Sequence, residues 1–119
     1  MKVLYCPVNR KPQYVEIPNE LRTAQKLVGG YIETVTFHRN PQLILVCNEE
    51  GLLEGLPINT SIPREWNLTV GNAFICGVDG ENFTSVPEEM QEQILKDCTR
   101  SWEQATAARR KKNEDKNLL

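Results

Sequence analysis

The chain lacks any apolar run long enough to cross a bilayer. Its longest, Leu43–Cys47, is far short of the roughly 20 residues that a spanning helix needs. No signal-peptide core follows Met1-Lys-Val-Leu-Tyr-Cys-Pro7, so a soluble cytoplasmic protein without a membrane partner is expected. It also lacks a basic excess. Fourteen Lys and Arg against sixteen Asp and Glu leave a net charge of -2, which excludes a dedicated duplex-DNA binder and makes nucleic acid a minor candidate partner. There is one histidine and no Cys-x-x-Cys pair, which argues against zinc or another bound metal. P-loop, G-x-S-x-G, H-E-x-x-H and G-x-G-x-x-G fingerprints are all missing, so NTPase, serine hydrolase, metalloprotease and dinucleotide-oxidoreductase chemistry lack their parts and no cofactor is expected. There is no internal repeat.

What is present fits one domain. A chain of 119 residues with 39% hydrophobic content can bury one core and is too short for two. The patterning predicts an α+β fold: a mainly antiparallel sheet covered by a short helix and a long C-terminal helix, with residues 1–108 as the domain and 109–119 as a charged, frayed tail. Lys2–Cys6 and Gln13–Ile17 read as a hairpin. Asn19 is placed to cap a helix whose apolar positions are Leu21, Ala24, Leu27 and Val28, and Gly29-Gly30 stops it. Tyr31–Phe37 alternates as a strand. Leu43–Cys47 returns antiparallel as the most apolar, central strand, which brings Tyr31 close to Asn48. Gly51–Leu68 is broken by Gly55, Pro57 and Pro63 and reads as a covering loop, and Gly71–Val78 as a further buried strand. Ser85-Val-Pro-Glu88 is a capping box that opens a helix over about 86–108 with Met90, Ile94, Cys98, Trp102 and Ala105 on one stripe.

The four cysteines, Cys6, Cys47, Cys76 and Cys98, fall on apolar runs or on this helix stripe, and read as small buried hydrophobes rather than disulfides or catalytic thiols. His38 sits beside Arg39 in a turn and reads as a surface residue.

The candidate site is polar. Asn48-Glu-Glu-Gly51 opens from the most apolar strand, and such residues belong in a core only if their hydrogen bonds are met. Leu56-Pro-Ile-Asn59 follows, with a proline able to fix the Asn59 amide, and Asn72 stands at the entrance of the next strand. Tyr31 and Trp66 are candidates for stacking on a flat base, and Arg10, Lys11, Arg39 and Arg64 for meeting phosphate. Tyr31, Asn48, Glu49, Glu50, Leu56, Pro57, Asn59 and Asn72 are therefore expected to surround a small, nucleotide-like ligand held without turnover. Binding is favoured over catalysis, because adjacent residues of a strand point to opposite faces and Glu49 and Glu50 do not form a natural acid–base pair. Two alternatives stand beside it. One is a protein-interaction factor that docks through its C-terminal helix, and the other a small phosphodiester or glycosidic hydrolase using Glu49 or Glu50.

Taken together, Leu27-Val-Gly-Gly-Tyr-Ile-Glu33, Val46-Cys-Asn-Glu-Glu-Gly51, Leu56-Pro-Ile-Asn59, Gly71-Asn-Ala-Phe-Ile75 and Asp79-Gly-Glu-Asn-Phe-Thr-Ser85 resemble a family of small domains of unknown function carried by bacteriophages and mobile elements. The resemblance runs from about Lys2 to Glu88 and leaves out most of the long helix. It implies an accessory protein of a phage or integrated element, acting in the bacterial cytoplasm. Counteraction of host defence follows as an expectation, by sequestering a nucleotide-derived immune signal, in a pocket that two subunits of a homo-oligomer can share, or by binding a host defence or phage replication protein.

Overall fold

Two strands that are apolar on both faces need cover on both sides, and the chain supplies one helix to each. The computed structural model describes residues 1–63 and 68–117. Its elements are β1 (Lys2–Cys6), β2 (Gln13–Glu16), α1 (Leu21–Val28), β3 (Ile32–Arg39), β4 (Gln42–Asn48), β5 (Ala73–Asp79), β6 (Asn82–Thr84) and α2 (Glu88–Asn117). The strands form one antiparallel sheet in the order β2-β1-β5-β4-β3. The short β6 pairs with the outer half of β5, alongside Gly77–Asp79, while β1 takes Ala73–Ile75. The fold is α+β, with the two helices expected from the sequence.

Period-two alternation divides the core. Leu43, Leu45, Ala73 and Ile75 face α2 and pack with its Ile94 and Cys98, while Ile44, Val46, Phe74 and Cys76 face α1 and pack with Ala24 and Val28. The central strand is β5; β4, expected there, lies between β5 and the edge strand β3.

Helix ends depart from expectation for identifiable reasons. Asn19 does not cap α1: its Nδ2 donates to the Phe83 carbonyl at 2.8 Å, and Glu20 occupies the cap position without a side-chain bond. Leu21 is 60% exposed although it shares a helix face with the buried Ala24 and Val28, so only the later turns of α1 pack on the sheet. Gly29 does end α1, in the left-handed region at φ 79°, where glycine carries no Cβ penalty. Ser85 does not form its capping box, because its hydroxyl accepts the Lys2 amide at 2.8 Å and α2 starts only at Glu88.

α2 continues to Asn117, through residues expected to fray. Alanine, arginine, lysine and glutamine dominate the stretch from Gln104 to Lys112, all strong helix formers. The helix starts beside Lys2, where the Val86 amide donates to the Lys2 carbonyl, and Ser101 has reached the opposite end of the sheet, where its hydroxyl donates to the Thr60 carbonyl at 2.7 Å. Thirty residues span about 45 Å, against about 26 Å for the eight residues of β3, so the outer third of α2 projects beyond the sheet. Among the described residues no helix is long and apolar enough to cross a membrane.

Phe74 is fully buried beneath α1. Phe74→Ala is expected to lower the unfolding free energy in urea by about 3–5 kcal/mol, and Leu21→Ala by no more than about 0.5 kcal/mol.

Candidate functional site

β1 and β4 end, and β3 and β5 begin, at one end of the sheet, because Cys6 pairs with Ala73, Val46 with Phe74 and Ile32 with Asn48. That end therefore gathers Tyr31, Asn48, Glu49, Glu50, Leu56, Pro57, Asn59 and Asn72, along with Arg10 and Lys11 in the loop after β1. Arg39 lies at the opposite end, in the β3–β4 turn. Arg64 and Trp66 fall outside the described residues.

Gathering the polar residues does not point their amides outward. Asn48 is 5% exposed. Its Nδ2 donates to the Val28 carbonyl at 3.3 Å and its Oδ1 accepts the Glu50 amide at 2.8 Å, so it caps the end of α1 and shapes the turn that follows β4. Gly30 makes room for it: a Cβ there would stand 2.9 Å from Asn48 Nδ2. Asn59 is 2% exposed and fully engaged. Its Nδ2 donates to the carbonyls of Cys6 at 2.7 Å and Gly71 at 2.9 Å, and its Oδ1 accepts the Ser61 amide at 3.1 Å. Asn72 Oδ1 accepts the Val8 amide at 2.9 Å. The three asparagines thus tie separate backbone segments together. Tyr31, Glu49, Glu50 and Pro57 are exposed, Leu56 half-buried against Gly51 and Gly71, and neither acid has an ion-pair partner among the described residues. Nor do the described residues hold three metal-ligating side chains together.

The concave surface lies to one side of these residues. A groove of about 1060 Å³ runs beside α2 from Met90 to Arg109, with the 57–63 loop as its other wall and Phe37, Ile58, Ile62 and Ile94 among its apolar lining. Gln93, Asp97, Arg100 and Gln104 contribute polar groups from the helix. Of the described residues expected at a site, only Pro57 and Asn59 line it. A bulge in β3 builds its far end: Thr36 pairs with Ile44 and His38 with Leu43, so Phe37 is the extra residue, and Phe37 and His38 both line the groove. His38, expected at the surface, is half-buried. Its Nδ1–H donates to the Pro41 carbonyl at 2.8 Å, which fixes Nε2 as the unprotonated nitrogen of the neutral ring. Thr60, in the loop wall, has a buried hydroxyl with no hydrogen-bond partner among the described residues, as does the neighbouring Ser61. Ile62 and Pro63 carried an apolar signal that the sequence reading gave only to a covering loop, and the bulge has none, because register is a property of the pairing.

The cysteines are free thiols; Cys6, Cys76 and Cys98 are buried and Cys47 is half-buried. Contact with Cys98, then burial, pushes the Cys6 thiol well above its ordinary 9.0. Burial and then the Glu33 carboxylate push Cys47 to about 11, and burial alone pushes Cys76 to about 12. Thiols held protonated in this way are poor nucleophiles at neutral pH.

A family model described as Domain of unknown function (DUF3846) matches residues 1–99, and the chain belongs to that family. No curated protein and no solved structure matches it.

Asn59→Ala strands two carbonyls and one amide in the interior, so unfolding by urea should show a loss of about 3 kcal/mol or more; Asn72→Ala, which strands one half-buried amide, should cost about 1 kcal/mol. Raised thiol values stabilise the fold fully below pH 9.0, where both states are protonated, and that contribution is lost as pH rises toward 11 and 12. In melts under reducing conditions the midpoint should fall progressively above pH 9.0, and Cys47→Ser should reduce the slope.

Proposed function

We propose that this member of the family is a binding factor without chemistry of its own, which holds a segment of another protein in the groove beside α2. The observation that carries the reading is the shape and lining of that groove. It follows α2 over twenty residues, about 28 Å of helix, and combines an apolar lining with polar groups at its edges, the distribution found in protein interfaces. Its volume of about 1060 Å³ is at the upper limit of small-molecule pockets, about 300–1,000 Å³. The asparagine amides once expected to meet a ligand are engaged with backbone. In the phage or mobile-element setting that the sequence resemblance implies, the partner is a host defence or phage replication protein.

A second reading has its own support. Thr60 contributes to the groove wall a buried hydroxyl that has no partner among the described residues, with His38 and Arg100 along the same lining, so a small nucleotide-derived ligand sequestered without turnover is the alternative occupant.

Ala105→Trp and Ile58→Glu, both in the lining, should each weaken capture of a co-expressed partner by about tenfold or more, while Glu92→Lys, outside the groove, leaves it unchanged. A partner retained by both groove variants overturns the first reading. Calorimetry against cyclic oligonucleotides and ADP-ribose derivatives decides the second: saturable heat abolished by Arg100→Ala, with the nucleotide recovered intact, supports it, and no heat removes it.

A further inference from the structure

Away from the groove lining, the same end of the molecule carries two exposed features of opposite character. The first is the turn after β4. Leu52 and Leu53 are 72% and 89% exposed, Tyr31 beside them is 68% exposed, and Glu49, Glu50 and Glu54 surround the leucines. The turn is not a loose tip: the Glu49 amide donates to the Tyr31 carbonyl, Glu54 to Glu50 and Leu56 to Gly51, so its backbone presents the leucines in a fixed form. Two adjacent leucines on an ordered turn are more than scattered surface apolar residues.

The second is the outer part of α2, whose side chains are exposed from Ala107 to Glu114. Arg110, Lys111 and Lys112 extend from it, and half-buried Trp102 with Thr106 and Ala107 forms an apolar flat on the same flank as Arg110 and Lys111. This part of the helix lies outside the residues that the family model matches. Residues 1–99 carry eight cations and thirteen acids, a net of -5, whereas residues 100–117 carry six cations and three acids, a net of +3. Among the described residues these cations and the turn's three acids make no ion pair.

We infer that the outer end of α2 docks on the acidic leucine turn of a second copy of this chain, so that two molecules associate reciprocally about a two-fold axis. The occupant is set by complementarity. The leucines meet the apolar flat at Trp102, Thr106 and Ala107, and Glu49, Glu50 and Glu54 meet Arg110 and Lys111, which share that flank with Glu103 and Glu114, while Lys112 adds positive charge from the adjoining side of the helix. Both halves leave the same end of the sheet, as an isologous dimer requires: a two-fold axis there uses each patch once and leaves none unpaired. The -5 domain also selects against a nucleic acid as the helix's partner, since the phosphate backbone is repelled by the larger part of the molecule.

The test is a charge exchange on the full chain, read by sedimentation velocity and light scattering. The unmodified protein should be a dimer, and dissociation should rise about tenfold or more between low salt and about 0.5 M salt, where screening shortens the Debye length. Glu49→Lys/Glu50→Lys/Glu54→Lys should give a monomer with an unchanged circular-dichroism spectrum, as should Arg110→Glu/Lys111→Glu/Lys112→Glu and, separately, Leu53→Asp. Mixing the two charge-reversed proteins should restore both halves of the interface in a heterodimer, since each cationic patch of one meets an acidic patch of the other, and combining all six reversals in one chain should restore the homodimer. A protein that is monomeric at all concentrations overturns the inference, as does a dimer indifferent to either reversal. A helix that instead binds duplex DNA while the protein stays monomeric also overturns it.

Discussion

The buried amide of Asn59 is the point on which the candidate site depends. Its two N–H groups hold the end of β1 and the entrance to β5, and its oxygen holds Ser61, so one side chain joins the sheet to the long connection between β4 and β5. That connection is otherwise fastened lightly, by the isolated Ile58–Val70 bridge and by a few backbone bonds such as Gly71 to Pro57. With Asn59 in place, Ile62 enters the core under α2 and Thr60 presents its carbonyl to the Ser101 hydroxyl. The groove wall is thus a loop held by the Asn59 amide, the Ile62 side chain and the Thr60–Ser101 bond, and the groove owes its width to how that loop is set against the helix. With both N–H groups and its oxygen bonded to backbone, the Asn59 amide serves to join segments of the fold, and the concavity forms beside that end of the sheet.

β4 and β5 impose a second constraint. Both are apolar on alternate faces, and neither face can be left to water. α1 closes one side with two small side chains, Ala24 and Val28, which is enough because Gly29 and Asn48 terminate it against the sheet. α2 closes the other with Ile94 and Cys98 but crosses toward β3 only through the 57–63 loop, leaving the strip over the β3 bulge open. The groove is the part of the sheet's second face that one helix is too narrow to cover.

Periodicity made the fold legible. Alternation in Tyr31–Phe37, continuous apolar character in Leu43–Cys47 and the helical stripe from Met90 onward each gave an element of the right type in nearly the right place. The convergence of the polar blocks at one end of the sheet was also readable, since it follows from antiparallel pairing. What those polar groups do was not. A buried asparagine that caps a helix and one that contacts a ligand have the same sequence signature, and only the partner of each N–H separates them. Asn19 and Ser85 show the same limit: both carry strong cap signals, yet each bonds a segment more than sixty residues away. β6 is three residues long, too short for periodicity to register, and the β3 bulge exists only as a relation between two strands.

The length of α2 connects these parts. An isolated helix of a dozen residues is marginal in water because its first turn is costly to form, but a segment that grows out of an already packed helix meets no such nucleation cost. Residues 88–101 are held by Ile94, Cys98 and the Ser101 hydrogen bond, and the outer residues extend from that base with one backbone bond per residue. From Ala107 to Glu114 its side chains are exposed, so the helicity there rests on propensity. A surface that is ordered at its root and only marginally stable at its tip gains stability from any complementary contact, and on this chain the complementary acids and leucines stand at the same end of the sheet.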